Sequence, residues 1–432
     1  MSFAVIELND SGLMASVDGA VLARSPGFAV LDGNRLMTGT EAYDCARLLP
    51  RWTNNRFWHQ LGTEPLAAAT PNLRHNADLA FAHLEAVWAD TGMHAESAVF
   101  AVPPYYTRDQ LGLLLGMAGE AGIPVTGVID SSVAAAAGQS LTNTTLVLDI
   151  FLHCITLTQL GASVQLTRTD AATVSDVGVF TLWDRWANIV ANQFIQSTRY
   201  DPLHQADSEQ ALYNQIPEWI SGTSGQLSQF DLVTTSGNRS VQVTRDQLLT
   251  ACSAIYPQIV QAIRSRLPAG ESVSVLLTHR LRGFPGLRDA LALLENVNVS
   301  ELPESAVNDS IWTHSEAITS RATVTHVVTL PVQASKIDNN STPAASPTHL
   351  LLDAQAIAIG TAFRLNEDLS TGLRESRDPI CTLYTDGHTV RIDPHQEGLT
   401  LNGYAVPAGT SLAVGDVLRV AGIDITLISV SE

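Results

Sequence analysis

Asp149 lies within an apolar run, Leu146–Cys154, at the end of a predicted strand, and a carboxylate in that place can hold a metal-bound water. Arg280 and Arg282 follow a second apolar run, and either guanidinium could neutralise phosphate oxygens. A nucleotide site also needs glycine where backbone amides approach the phosphates, because a side chain at that turn blocks the approach. The Asp149 run contains no glycine. This composition argues against ATP hydrolysis.

The preceding residues predict alternating strands and helices that would position Asp149. Ser97–Tyr106 predicts a buried strand that ends in prolines. Thr107 and Gln110 have the spacing of a capping box, so a helix is expected to begin there and to end near Gly122. Three further predicted elements follow in order: strand Val125–Ile129, helix Ser132–Ala137 and strand Thr145–Asp149.

This order resembles the DnaK-type heat-shock ATPase of the actin superfamily, whose segment reads roughly VPAYF…AG…AGL…INEPTAAALAYG…DLGGGTFD. The resemblance covers about residues 1–366 and implies an α/β, two-lobed actin-like ATPase fold. Other segments that carry it are the strand Phe3–Glu7, the hairpin Ser25–Gly39, the strand Ser272–Leu277, the turn Phe284–Leu287 and an expected closing helix, Leu352–Ala362.

Positions that carry the family's chemistry differ in this chain. The family's first phosphate hairpin, DLGTT, corresponds to Glu7–Ser11, with Gly12 displaced. The second hairpin keeps Asp149, but Phe151–His153 take the glycine positions. The resemblance therefore implies a nucleotide cleft without the backbone cradle that phosphates require.

Two other family motifs are also altered. The adenosine-side GGS becomes Thr278–Arg280, and the NEP turn, whose glutamate serves the attacking water, becomes Asp130–Ser132. The single lysine, Lys336, lies in a predicted linker, so Arg51 or Arg56 would have to replace the family's phosphate-contacting lysine. The degenerate cleft implied by the resemblance comprises Asn9, Ser11, Gly12, Asp130, Asp149, Phe151, His153, Arg280, Arg282 and Gly360.

Composition restricts the possible partners. The formal net charge is −19 over 432 residues, which disfavours nucleic acid and anionic lipid surfaces. No apolar run reaches membrane-spanning length, and a cytoplasmic, bacterial protein is expected, with no direct membrane insertion. The four cysteines are widely spaced and predict reduced thiols, and the histidines show no metal-ligand spacing. We expect no metal and no cofactor.

The predicted domains are lobe one at residues 1–139 and lobe two at residues 140–366, with an insertion at about 303–348. Residues 367–378 are predicted to be a linker. Residues 379–432 alternate apolar segments with Asp-Gly, Asn-Gly and Gly-Asp turns, which is typical of a small β-sandwich or barrel. Leu401–Tyr404 and Gly415–Leu418 are similar to the end of forkhead-associated domains, but the upstream phosphothreonine-reading motifs of that family are missing.

Three hypotheses of function follow from these patterns. The first is a catalytically inactive DnaK-like scaffold, a pseudo-ATPase whose lobes and β-domain bind protein partners. The second is an ATP-binding switch that uses Asp149 for a metal-bound water and Arg280 or Arg282 for phosphate. The third is an actin-like protein that forms filaments.

Overall fold

The computed structural model describes residues 2–331 and 347–429, apart from 71–72, 140, 143, 163–164, 224, 236, 269–270, 320–322, 353–354, 367–378, 387–388, 397–398, 402–403, 413 and 421–422. The chain divides into two compact units, Met1–Asp338 and Asn339–Glu432. The first unit is α/β, and the second is built mostly of strands.

The first part of unit one begins with three strands and ends with a buried helix. Its strands are β1 (Phe3–Glu7), β2 (Leu13–Val17), β3 (Ala20–Ser25), β4 (Ala29–Asp32), β5 (Arg35–Thr38), β6 (Thr53–Asn54), β7 (Pro65–Thr70), β8 (Leu73–His75), β9 (Ser97–Val102) and β10 (Val125–Asp130). Its helices are α1 (Gly39–Tyr43), α2 (Asn76–Thr91), α3 (Arg108–Glu120) and α4 (Ser131–Ala137).

Five of these strands form one sheet in the order β10-β9-β1-β2-β3. β1 runs antiparallel to β2, which runs antiparallel to β3, whereas β1, β9 and β10 are parallel. β1 is buried at every residue, as its apolar residues Phe3–Ile6 predict for a central strand covered on both faces.

The second part of unit one repeats this plan with different loops. Its strands are β11 (Thr144–Ile150), β12 (Cys154–Ala162), β13 (Gln165–Ser175), β14 (Leu227–Thr234), β15 (Gly237–Thr244), β16 (Val273–Leu277), β17 (Val297–Glu301), β18 (His326–Val327) and β19 (Thr329–Pro331). Its helices are α5 (Val179–Thr198), α6 (Ala206–Gly222), α7 (Arg245–Cys252), α8 (Tyr256–Arg264), α9 (Leu287–Ala292), α10 (Ala306–Thr313) and α11 (Ser315–Thr319).

The second sheet has the order β17-β16-β11-β12-β13. Its first three strands in sequence are antiparallel, and β11, β16 and β17 are parallel. Both sheets therefore share one strand order and one set of strand directions. In each, a helix follows the fifth strand, and these two helices, α4 and α10, contact each other.

The core between the sheets is made largely of small residues. All seven residues of α4 are buried, and five of them are alanine or valine. This helix lies in one apolar cluster with Val5 and Val99 of the first sheet and Val147 and Leu276 of the second. Short side chains allow the two sheets to approach a shared helix closely.

One short segment joins the outer edges of both sheets. β18 pairs in parallel with β10, where Val128 faces His326. β19 begins two residues after β18 ends and pairs antiparallel with β13, where Leu166 faces Leu330. The two sheets are thus connected by backbone hydrogen bonds as well as by their shared core.

The second unit contains two sheets around its own apolar core. Their orders are β21-β20-β29-β28-β25-β26 and β22-β23-β24-β27. The strands are β20 (His349–Leu352), β21 (Gln355–Ala358), β22 (Ala362–Leu365), β23 (Cys381–Asp386), β24 (Thr389–Pro394), β25 (Thr400–Leu401), β26 (Tyr404–Ala405), β27 (Thr410–Leu412), β28 (Val417–Val420) and β29 (Ile423–Ile428).

The expected closing helix at Leu352–Ala362 is wrong. The segment contains the end of β20, β21 and the start of β22, because β20 finds a distant partner in β29. The helix that closes the second repeat is α10, which lies within the predicted insertion at 303–348. The C-terminal unit also begins at Asn339 rather than at residue 379. The predicted linker at 367–378 and Lys336 lie outside the described residues.

Candidate functional site

Asp149 is the penultimate residue of β11, the central strand of the second sheet, and its carboxylate is already occupied by protein donors. Thr278 Oγ1 donates to Oδ1 at 2.5 Å, and the Ile150 amide donates to the same oxygen at 2.8 Å. Asn9 Nδ2 donates to Oδ2 at 3.2 Å. A carboxylate satisfied in this way has little capacity left for a metal-bound water.

Arg280 is buried between two carboxylates. Its Nη2 lies 2.8 Å from Glu7 Oε1, and its Nη1 lies 3.5 Å from Asp149 Oδ2. Burial opposes the guanidinium charge, but the two carboxylates outweigh burial and raise the pKa of Arg280. Burial raises the pKa of Glu7, and Arg280 partly offsets that effect. Arg280 thus neutralises the protein's own acids.

The first hairpin contacts the second directly. Asn9 Nδ2 also donates to the Ile150 carbonyl at 3.0 Å, while Asn9 Oδ1 accepts from the amide and hydroxyl of Ser11 at 2.9 and 2.7 Å. The Gly12 amide donates to the Asn9 carbonyl at 3.0 Å. The turn that would hold phosphate in the resembled family is therefore bonded to itself and to the opposite hairpin.

Asp10 adds a third buried carboxylate to this cluster. Its Oδ1 accepts from the Leu152 amide at 2.8 Å, and its Oδ2 has no hydrogen-bond partner in the described part of the chain. Burial raises the pKa of Asp10 to about 7. Arg280 is already paired with Glu7 and Asp149, so the cluster offers a triphosphate no free positive charge.

The Asp10→Asn variant is expected to gain stability relative to the native chain as pH rises. The folded state keeps a proton that the unfolded carboxyl releases near its ordinary pKa, so native stability falls with rising pH across this interval. Urea unfolding should show the Asp10→Asn advantage growing by roughly 2–3 kcal/mol between about pH 5 and pH 8. Asp90→Asn, at an exposed helical position, is the control. A pH-independent difference for Asp10→Asn would contradict the buried-acid interpretation.

Phe151 and His153 fill the second hairpin instead of leaving it open. Phe151 is 1% exposed and packs edge to face on Tyr105, with ring centroids 5.2 Å apart. His153 Nε2 lies 3.0 Å from the Asn55 carbonyl. Burial and then the charge of Arg56 lower the pKa of His153 to about 4, so the ring is neutral at physiological pH.

Asp130, at the position of the family's catalytic turn, has a structural role. Its Oδ1 accepts from the amides of Ser132 and Val133 and so caps α4. Its Oδ2 accepts from Arg168 Nη1 at 2.6 Å, and the same nitrogen donates to the Pro104 carbonyl. This ion pair joins β10 of the first sheet to β13 of the second.

Two predicted cleft residues lie elsewhere. Arg282 has a side chain that is 56% exposed, and its Nη2 donates to the Leu302 carbonyl at 3.2 Å. Gly360 belongs to the second unit, whose described residues form strands and no helix, and it has positive φ with open space around it. A linear match with the resembled family cannot separate the two arginines that follow β16: Arg280 reaches Asp149, whereas Arg282 bonds to Leu302.

The prediction missed Glu7 and Asp10 as members of the cluster, although each follows or ends an apolar strand. An acidic residue at the end of a fully buried strand is the signal that could have found them.

In the described residues, no three His, Cys, Asp or Glu side chains are grouped as metal ligands would be. Nor does any described helix have the length and apolar character needed to cross a bilayer. Comparison with family models and with curated proteins gives no match.

Proposed function

We propose that this protein is a catalytically inactive, actin-like scaffold that binds protein partners and does not hydrolyse ATP. The repeated sheet supports the fold assignment. Three antiparallel strands followed by two parallel ones occur twice, with a helix after each fifth strand, which is the arrangement that the resemblance to the DnaK-type ATPase implies. The equivalent ends of the two central strands, Glu7 and Asp149, then face each other across Arg280.

The occupied state of Asp149 is the observation that carries the proposal. Its oxygens accept from Thr278, Asn9 and Ile150, and its charge is met by Arg280. A magnesium nucleotide would have to replace these contacts and would find no free positive charge, because Arg280 is paired with Glu7 and Asp149. Breaking these buried hydrogen bonds costs free energy, which the contacts made by a new ligand would have to offset.

Rigid attachment of the two sheets also favours a scaffold over a switch. Asp130 bonds to Arg168 across the sheets, and Ser16 Oγ donates to Asn308 Oδ1 at 2.7 Å between β2 and α10. Lobe closure needs a ligand that binds one arrangement better than the other. With the cleft occupied by side chains, the proposed function needs a single arrangement that presents fixed surfaces to partners.

Calorimetric titration with Mg-ATP and Mg-ADP tests the inactive cleft. We expect no binding heat at millimolar nucleotide and no shift of the thermal unfolding midpoint. The Phe151→Gly/His153→Gly variant is the matched comparison, because it restores glycine to the second hairpin while leaving the carboxylates in place. Micromolar binding by the native chain would overturn the proposal and support the ATP-binding switch.

The scaffold role predicts that partner binding does not depend on nucleotide. Partners captured by the full chain from lysate of the source organism should remain bound when Mg-ATP is added. A switch of the DnaK type would release or exchange them. Nucleotide-dependent release of a specific partner would therefore contradict the scaffold, even if the nucleotide affinity were weak.

A further inference from the structure

A cavity of about 420 Å³ lies in the first unit, apart from the Asp149 cluster. It is built by the small sheet β5-β4-β6, the hairpin β7-β8 and the start of α2. Its size falls in the range of pockets that bind small organic molecules. None of Glu7, Asp10, Asp149 and Arg280 lines it.

Two arginines give this cavity its charge. Arg51 and Arg56 line it, and within the described residues neither guanidinium forms an ion pair or donates a hydrogen bond. No carboxylate is among the lining residues. In a chain with a net charge of −19, two unpaired arginines at one cavity form a local positive site. The positive charge of Arg56 also contributes to lowering the pKa of His153.

Apolar side chains provide the remainder of the surface. Trp52 stands between the arginines in sequence and is 52% exposed, which is unusual for the largest aromatic side chain. Leu79 is buried at 4% exposure, and Leu31 and Leu36 are half-buried. An exposed indole beside leucines offers stacking and apolar contact to a ring.

The polar part of the cavity wall is held in place by its own hydrogen bonds. Asn54 Oδ1 accepts from the Arg56 amide at 2.9 Å, and Asn54 Nδ2 donates to Asn76 Oδ1 at 3.2 Å. Thr53 Oγ1 donates to the Leu49 carbonyl at 3.0 Å. These bonds restrain the backbone from Thr53 to Arg56 before any ligand arrives, which reduces the entropy lost on binding.

We propose that this cavity binds an organic anion, a molecule with a ring that packs on Trp52 and the leucines and a phosphate or carboxylate group held by Arg51 and Arg56. Arginine suits such a group because its planar donors match the oxygens of both. The inference does not depend on the scaffold function, since the cavity and the Asp149 cluster share no residue.

Titration of the full chain with 1-naphthyl phosphate, and separately with neutral 1-naphthol, tests the proposal. We expect the phosphate to bind in the micromolar to low millimolar range and at least tenfold more tightly than the alcohol. The Arg51→Gln/Arg56→Gln variant should lose at least tenfold in affinity for the phosphate. Both arginines are exposed, so this variant is expected to fold, and an unchanged unfolding midpoint would verify that it does.

Arg108→Gln is the matched control. Arg108 is exposed at the start of α3, does not line the cavity and forms no ion pair in the described part of the chain. This control should bind 1-naphthyl phosphate as the native chain does. Failure of the native chain to bind, equal binding of the neutral alcohol, or equal losses in the control and the double variant would each overturn the proposal.

Discussion

Replacement of Arg280 by methionine is expected to lower the free energy of unfolding by about 3–5 kcal/mol, because it removes one partner of a buried ion pair and leaves the acids behind. Glu7 and Asp149 would remain buried with no cation beside them. Methionine has a similar length, so the loss of packing is small. Urea unfolding at neutral pH measures the change.

A matched control separates burial from charge. Arg282→Met removes the same charge two residues later, but from a side chain that is 56% exposed, and should change stability by no more than about 0.5 kcal/mol. The Arg280→Met deficit should also shrink as pH falls, because protonation of the carboxyls removes the uncompensated charges. Equal effects of the two substitutions would contradict the role assigned to Arg280.

Replacement of Gly178 by alanine is expected to destabilise the fold by about 3 kcal/mol or more, at the upper end of the cost of overpacking. A Cβ at this position would lie 2.1 Å from the Leu152 carbonyl oxygen and 2.5 Å from the His153 amide nitrogen. Both neighbours are backbone atoms of the second hairpin, so they cannot move aside as a flexible side chain could. Thermal and urea unfolding measure the loss.

Gly112 provides the control for this substitution. It lies on the exposed face of α3, and a Cβ there would meet nothing within 4 Å. Gly112→Ala should therefore stabilise the protein by about 0.5–1 kcal/mol through helix propensity. The backbone of Leu152 and His153 is proposed to require glycine at position 178. A change of stability in the same direction in both alanine variants would contradict that explanation.

Much of the first unit could be predicted from sequence because its signals are local. The capping box at Thr107 is present, with the Gln110 amide donating to Thr107 Oγ1 at 3.3 Å and Gln110 Oε1 accepting from the Thr107 amide at 3.0 Å. The apolar runs at 97–102 and 273–277 are buried strands, as their composition indicates. The coarse α/β assignment and the strand-rich C-terminal part are confirmed.

The segment around Leu352–Ala362 shows where local reasoning fails. Its alanines and isoleucines suit a helix or a strand equally well over so short a stretch. The segment becomes strand because His349–Leu351 pair with Thr426–Ile428. These partner residues are distant in sequence, so the pairing leaves no local signal. The Asn-Gly pair on which the forkhead-associated resemblance partly depends lies outside the described residues, and that resemblance stays a prediction.

The candidate site was predictable in some of its positions but not in its contacts. Asn9, Asp149 and Arg280 do come together, as the alignment of their strands with the resembled family indicates. Their mutual bonding depends on distances between two sheets, which no spacing along the chain encodes. The same holds for Arg168, whose pairing with Asp130 could not be inferred from either residue's neighbours.

The late position of β18 and β19 in the chain fixes when the first sheet can be completed. The first sheet can form five of its strands as soon as the chain has passed Asp130, but β18, which completes its edge beside β10, is made only after β17 of the second sheet. During translation that edge has no strand beside it, and an unpaired edge is open to pairing with other chains. A chaperone that shields β10 until residues 326–331 emerge would therefore raise the yield of folded protein more than it would change its final stability.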